Sequence, residues 1–124
     1  MKRIAFIDLG SNSVRFVIYE ISKTGSYRLI YQEKNSVRLS ENMWGAHALT
    51  HEAMERSLRS LKAFVHMAEA MEVDTIKAVA TAAVRLAKNG EHFIKTVKER
   101  TGLDLECIAG EEEARLGFLG VINT

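Results

Sequence analysis

The sequence contains no proline, only one cysteine and no long apolar run among its 124 residues. The absence of proline favours regular elements with short connections and gives no sign of an internal linker. Because Cys107 is the only cysteine, no intramolecular disulfide can form, which fits a reducing compartment. The apolar stretch from Ile4 to Ile7 is too short for a signal-peptide core, and no run approaches membrane-spanning length. We therefore expect a soluble, cytoplasmic protein that does not act at a membrane.

The sequence also lacks an excess of charge of either sign. The 17 basic and 16 acidic residues give a formal net charge of +1, and no lysine- or arginine-rich block occurs. This balance gives no indication of a nucleic-acid partner. The composition, 47% apolar and 27% charged, is that of an ordinary globular protein. The length predicts a single domain, residues 1–124, large enough to bury a core.

The first third of the chain has the pattern of consecutive strands. Residues 3–8, 14–21 and 27–34 are rich in β-branched, aromatic and other apolar types, and Gly, Ser and Asn cluster between them. Such spacing predicts strands joined by tight turns. Residues 35–49 are mixed and are expected to form a loop with some strand character.

From Thr50 onward the apolar period changes to that of helices alternating with strands. Thr50 is the expected N-cap of an amphipathic helix that ends near Glu72. Cys107 falls in the last predicted strand, where we expect it in the core. The sequence predicts an α/β fold: a mixed five-stranded sheet, its first three strands antiparallel, with helices packed on it. The remaining predicted elements are a strand at 75–80, helices at 82–88 and 91–101, a C-terminal stop at Gly102, a strand at 104–108 and a last helix at 111–122.

Three segments carry residues suited to anion chemistry. The first is Asp8-Leu9-Gly10-Ser11-Asn12-Ser13, with Arg15 just beyond. A strand that ends in a carboxylate and a glycine turn can present hydroxyls and backbone N–H groups to an anion, and Asp8 could hold a hydrated Mg²⁺ beside it. Arg15 could add a bidentate charge. The same residue types are equally typical of an ordinary hairpin turn.

The second segment is Gly110-Glu111-Glu112-Glu113-Ala114-Arg115. Carboxylates at the start of a helix are favoured by the helix dipole, which explains the acidic run without any function. The functional interpretation singles out Glu113, because ligands of open α/β sheets gather beyond strand carboxyl ends, where a carboxylate can deprotonate water.

The third segment runs from Thr81 to Arg85, where a predicted strand enters a helix. An arginine in the first helical turn opposes the helix dipole, so helix stability does not explain Arg85, whereas contact with an anion would. An ordinary surface arginine is the alternative.

These segments together resemble a known family. FIDLGSNSVR, ATAAVR and AGEEEARLGFLGV, in this order, are similar to the N-terminal domain of the exopolyphosphatase / guanosine pentaphosphate phosphatase family. The resemblance covers essentially all 124 residues. It implies the ribonuclease H-like fold of the actin-like ATPase superfamily, which begins with three antiparallel strands.

The resemblance also implies an enzyme and a set of roles. The reaction would be attack of water on the terminal phosphoryl group of inorganic polyphosphate or guanosine pentaphosphate, with Mg²⁺ as cofactor. The implied roles are phosphate binding by Ser11, Asn12, Ser13 and Arg15, polyanion binding by Arg85, activation of the water by Glu113, and metal binding by Asp8.

In one respect the sequence departs from the family pattern. Family members carry a second domain with a D-x-G-G-G-S-type phosphate loop, and no such loop occurs here. We therefore expect the second domain of a longer chain as a partner, and little or no activity without it. A homodimer remains open, as do two alternative functions: a sugar- or acetate-kinase-like ATPase, and a non-catalytic domain that binds guanosine tetra- or pentaphosphate.

Overall fold

The fold is described from a computed structural model over residues 2–43 and 47–108. The predicted last helix lies outside these residues. The order of elements matches the predicted order as far as the description extends. The strands are β1 (Lys2–Leu9), β2 (Ser13–Ile21), β3 (Tyr27–Ser36), β4 (Thr75–Ala80) and β5 (Leu105–Cys107), and the helices are α1 (His51–Ala70), α2 (Ala82–Leu86) and α3 (Gly90–Thr101).

The five strands form one mixed sheet in the order β3-β2-β1-β4-β5. β1, β2 and β3 are antiparallel neighbours, and β4 and β5 run parallel to β1. The predicted mixed five-stranded sheet is confirmed. Because β1, β4 and β5 are parallel, their carboxyl ends meet at one edge of the sheet, called here the carboxyl edge.

The main core lies between the sheet and helices α1 and α3. Phe16 on β2 and Phe64 on α1 stack with ring centroids 4.7 Å apart, and Phe93 on α3 is fully buried. Alternate residues of β1, β2 and β4 point into this core, as the period of two requires. The opposite face carries a smaller cluster, in which Phe6, Val17 and Val79 are buried.

The ends of the helices follow local chemistry. Thr50 caps α1 as predicted: its side-chain oxygen accepts a hydrogen bond from the N–H of Ala53 at 3.1 Å. Gly102 ends α3 in the left-handed conformation, with φ 80°. In the part of the chain that the structure describes, no helix combines the length and apolarity needed to cross a membrane.

The middle helix is shorter than the sequence predicts. α2 ends at Leu86 rather than at residue 88, and α3 already begins at Gly90. The start of α3 packs closely against the backbone of α2. A Cβ on Gly90 would lie 3.1 Å from the carbonyl carbon of Val84 and nearer still to its oxygen. This contact leaves α2 room for only five residues.

Candidate functional site

A tight turn, Gly10–Ser13, joins β1 to β2. The N–H of Gly10 donates to the carbonyl of Ser13 at 2.9 Å, and a Cβ on Gly10 would lie only 3.3 Å from that oxygen. Within residues 2–43 and 47–108, no acceptor takes the backbone N–H of Ser11 or Asn12. Asn12 is exposed and Ser11 is half-buried. The turn therefore offers N–H donors of the kind that hold anions.

The carbonyl side of the same turn is occupied. The carbonyl oxygen of Asn12 accepts hydrogen bonds from the N–H groups of Val37 and Arg38, at 3.0 and 2.9 Å. The carbonyl oxygen of Ser11 accepts from the N–H and the hydroxyl of Ser40, at 3.0 and 3.2 Å. The segment after β3 thus fixes the orientation of the Gly10–Ser13 turn.

A row of charged residues crosses the sheet beside this turn. Asp8 on β1 stands directly opposite Arg15 on β2, and Arg15 stands opposite Lys34 on β3. Directly opposed residues share a face of the sheet, here the face of the smaller apolar cluster. Arg15 and Lys34 are exposed, and neither forms an ion pair with a carboxylate of the described residues.

Lys34 is a charged neighbour of the predicted site residue Arg15 that the sequence pattern did not reveal. The β2–β3 register shifts by one residue between Ile18 and Tyr19, so Arg15 faces Lys34. In the unshifted register, in which Tyr19 pairs with Leu29, Arg15 would face Glu33. Like charges directly opposite each other destabilise a sheet, so the Arg15–Lys34 pair opposes this register, which the packing of Phe16 against Tyr31 on the other face favours. An anion shared by Arg15 and Lys34 would offset the repulsion between them.

The carboxyl edge brings the first and third predicted segments together. The N–H of Thr81 donates to the carbonyl of Leu9 at 3.1 Å, and a Cβ on Gly10 would lie 3.9 Å from Thr81 Oγ1. Arg85 follows on α2 and is exposed. The N–H of Ile108 donates to the carbonyl of Ala80 at 3.0 Å, so the end of β5 lies at the same edge.

One argument for Arg85 fails. The sequence predicts it in the first turn of a longer helix, where its charge would oppose the dipole. Because α2 has only five residues, Arg85 lies in its last turn, where a cation is compatible with the dipole. Helix polarity therefore gives no support to an anion-binding role. The support that remains for an anion-binding role is the position of Arg85 at the carboxyl edge, which the turn shares.

The prediction that Cys107 lies in the core is wrong. Cys107 is in a strand as expected, but it is exposed, because β5 is a three-residue strand at the edge of the sheet. Partial burial raises the pKa of its thiol, while the positive charge of Arg85 acts to lower it. Helix α2, which bears Arg85, lies beside β5 at this edge of the sheet.

The metal prediction concerns Asp8 alone. Its Oδ1 atom is buried, at the end of β1 beside the turn. In the described ranges no three His, Cys, Asp or Glu side chains cluster as metal ligands. These residues thus form no closed metal cage, but one carboxylate suits Mg²⁺, which keeps several waters and shares phosphate oxygens with its substrate.

Glu113, the predicted catalytic residue, lies outside the described residues, and so do Glu111 and Glu112 of the acidic run. In the sequence Glu113 follows Ile108, the last described residue, by five positions. The structure thus describes the placement of Asp8, Ser11, Asn12, Ser13, Arg15 and Arg85 among the predicted site residues.

A groove of about 730 Å³ lies elsewhere, beside the β4–β5 edge and the ends of α1 and α3. Apolar side chains such as Val65 and Leu105 line it, and the ion pair of Lys77 with Glu106 borders it. None of the predicted site residues that the structure describes contributes to its lining.

Solved structures show what the fold is similar to. A Ppx/GppA family member from Aquifex aeolicus superposes with TM-score 0.88 at 36% identity, covering 97% of this chain and 39% of its own. An exopolyphosphatase from Cytophaga hutchinsonii gives 0.86 at 33%, covering 97% and 38%. The ethanolamine utilization protein EutJ from Carboxydothermus hydrogenoformans, at 13% identity and TM-score 0.51, covers 97% and 41% and shares the fold alone. The predicted actin-like ATPase fold is confirmed.

The chain spans less than two-fifths of the first two of these relatives, 39% and 38% of their lengths. A sequence profile of the Ppx/GppA phosphatase family matches residues 17–124. That match includes both the Arg85 segment and the acidic run, although it begins after the Gly10–Ser13 turn. Together with the turn and the edge that it shares with Thr81, these similarities show that the chain belongs to the Ppx/GppA phosphatase family.

Proposed function

We propose that this chain is the N-terminal part of a cytoplasmic phosphatase that releases the terminal phosphate of inorganic polyphosphate or guanosine pentaphosphate. One observation carries the proposal: the 3.1 Å hydrogen bond from the N–H of Thr81 to the carbonyl of Leu9. It joins the ends of two strands, so the Gly10–Ser13 turn and the segment that bears Arg85 share one edge. Membership of the Ppx/GppA phosphatase family supports the reaction class.

The described residues supply a binding surface for phosphate oxygens. The N–H groups of Ser11 and Asn12 are available as donors, and the hydroxyls of Ser11 and Ser13 add two more. Arg15 and Lys34 contribute positive charge on one face of the sheet. Phosphoryl transfer requires mainly positioning and stabilisation of charge on phosphate oxygens, so a few donors and cations of this kind are suited to it.

Asp8 is the residue that would hold Mg²⁺ at this edge, with water and phosphate oxygens completing the coordination. When bound, the ion would neutralise charge on the phosphate chain. The contribution of the protein is to fix the Asp8 carboxylate at the end of β1, next to the turn that binds the phosphate.

Glu113 is the proposed general base. A carboxylate within hydrogen-bonding reach of a water can take its proton as the water attacks the terminal phosphorus in line with the leaving oxygen. The second domain of a longer chain would complete the cleft. We therefore expect the 124-residue chain alone to release little or no phosphate.

Glu113→Gln in the full-length protein tests the mechanism, with the neighbouring Glu112→Gln as the matched control. We expect E113Q to lower kcat for phosphate release by about 100-fold or more, the usual contribution of a positioned base. E112Q should stay close to the wild-type rate. Binding of pyrophosphate, followed by calorimetry, should be retained in both variants.

Equal phosphate release by E113Q and the wild-type protein would contradict the proposal. Two other outcomes would favour the alternatives. Transfer of phosphate from ATP to a small acceptor would indicate a kinase-like protein. Binding of guanosine pentaphosphate by the full-length protein, without phosphate release, would indicate a regulatory domain.

A further inference from the structure

Arg56 connects helix α1 to the segment that holds the Gly10–Ser13 turn. Its Nε donates to the carbonyl of Val37 at 2.9 Å, and its Nη2 donates to the carbonyl of Arg38 at 3.2 Å. Its side chain is only 20% exposed and lies 3.7 Å from Glu41. A guanidinium that donates to two successive carbonyls fixes both peptide groups at once.

The peptide groups that Arg56 holds belong to a strained backbone. Arg38 has φ 47°, in the left-handed region that residues with a side chain rarely adopt. Such a conformation persists only where the surroundings impose it. Here it accompanies the convergence of two successive N–H groups, those of Val37 and Arg38, on the carbonyl oxygen of Asn12. Arg56 binds the carbonyls of the same two residues.

Within the Gly10–Ser13 turn, the orientation of each carbonyl determines the direction of the N–H in the same peptide group. A trans peptide group is planar, with its C=O and N–H pointing in opposite directions. Because Ser40 fixes the carbonyl of Ser11, the N–H of Asn12 in the same peptide group must point away from residues 37–40. That N–H is one of the two donors without an acceptor in the described part of the chain.

We propose that Arg56 is a positioning residue for the anion-binding turn, although it does not itself contact the anion. It acts through residues 37–40, whose N–H groups and hydroxyl hold the carbonyl oxygens of Ser11 and Asn12. The inference rests on the proposed function, in that the turn is taken to bind phosphate. It adds a residue from α1, a helix in which the predicted site has no member.

The test compares variants of the full-length protein that lose an arginine from the same region. Arg56→Ala removes the hydrogen bonds to the carbonyls of Val37 and Arg38, and Arg56→Lys keeps the charge with a single donor group. Arg100→Ala is the matched control, because Arg100 binds Glu55 on α1 at 2.8 Å and has no contact with the turn. Calorimetry measures the Kd of pyrophosphate, and thermal melting gives the stability of each variant.

We expect R56A to weaken pyrophosphate binding about tenfold, the effect of losing roughly one charge-assisted hydrogen bond between a misplaced N–H of the turn and the anion. R56K should recover part of the affinity. R100A should bind pyrophosphate with the wild-type affinity, even if its melting temperature is as low as that of R56A. Equal affinity in R56A and R100A would overturn the proposal, because loss of stability alone would then account for any change.

Hydrogen exchange of the amides of Gly10, Val37, Arg38 and Ser40, each of which donates to a carbonyl of the turn, separates this inference from the proposed function. Exchange needs no ligand, and we expect it to be faster in R56A than in R100A. If the wild-type protein binds no pyrophosphate, the proposed phosphate site fails, and the exchange comparison alone decides whether Arg56 orders the turn. Equal exchange in the two variants would show that it does not.

Discussion

Gly90 packs directly against the backbone of Val84, and a Cβ at that position would lie 3.1 Å from the Val84 carbonyl carbon and closer to its oxygen. This contact joins the start of α3 to α2, the helix that bears Arg85. Because the obstructing atoms belong to backbone, they cannot move aside as a flexible side chain would. The sequence of α2 and α3 therefore requires glycine here.

Gly90→Ala should destabilise the protein by about 2–3 kcal/mol, the upper part of the range seen when atoms are forced into a packed region. Gly102→Ala is the matched control at the other end of α3, where φ is 80° and no atom lies near the added Cβ. That change should cost only about 1 kcal/mol of backbone strain. Chemical denaturation measures both. A loss in G90A no larger than in G102A would contradict the close approach.

Thr50→Ala should cost about 1 kcal/mol, because the N–H of Ala53 loses its side-chain acceptor at the start of α1. Thr50→Ser keeps the oxygen and should retain most of the stability. Thr50→Val keeps the shape without an acceptor and should behave like T50A. Denaturation midpoints check all three, and a valine variant as stable as the serine variant would exclude the capping interaction.

Local signals in the sequence were sufficient to predict those elements whose ends are set by a single residue. Thr50 and Gly102 bound α1 and α3 as predicted, and the strand predicted at 75–80 coincides with Thr75–Ala80. The early strands were also predicted, because apolar and β-branched runs between glycine-containing turns have few other solutions. The end of α2 was not predicted correctly, because it depends on a contact between Val84 and Gly90, which lie in two different helices.

The parts of the site that were missed depend on register and on long-range contacts. Lys34 faces Arg15 only because of the one-residue shift in β2–β3 pairing, which alternation of residue types does not reveal. Arg56 reaches carbonyls 18 and 19 residues away in sequence, and such contacts leave no periodic signal. Cys107 was misplaced because a short apolar run does not show whether its strand lies at the edge.

Lys34→Gln should weaken pyrophosphate binding by the full-length protein about threefold to fivefold at low ionic strength, as expected for one exposed charge a few ångströms away. The effect should diminish as salt is added, because exposed charges are screened. Lys23→Gln, in the turn at the far end of β2, is the control and should leave binding unchanged. Calorimetry at two salt concentrations distinguishes the variants. No loss in K34Q at low salt would exclude Lys34 from the site.

Glu20 should stabilise the fold at neutral pH and less in acid. The hydrogen bond from Arg3 at 3.2 Å lowers the pKa of Glu20, and Arg28 at 2.9 Å contributes in the same direction. A carboxyl whose pKa is lower in the folded state stabilises it above the unfolded pKa. This contribution is lost as the pH falls through the folded pKa.

The stability difference between the wild-type protein and Glu20→Gln should therefore be largest near neutral pH and shrink towards about pH 3. Denaturation at several pH values measures it. Glu99→Gln is the control, since Glu99 is exposed and forms no ion pair with the described residues. A difference for E20Q that does not change with pH would mean that the arginines do not act on its ionised form.

Cys107 provides a chemical probe of Arg85 at the carboxyl edge. Burial raises the pKa of the thiol, and the charge of Arg85 opposes that rise. Arg85→Met removes the charge while keeping a long side chain, so the pKa should rise further. Alkylation by iodoacetamide requires the thiolate, and the R85M variant should therefore react more slowly at mildly alkaline pH.

Arg85→Lys keeps the charge and should alkylate at close to the wild-type rate, whereas all variants should react alike when unfolded. Pyrophosphate that binds Arg85 would neutralise its charge, and it should slow alkylation of the wild-type protein but not of R85M. Mass spectrometry of the Cys107 peptide gives the rates. An R85M protein that reacts as fast as the wild type would show that the charge of Arg85 does not act on the thiol of Cys107.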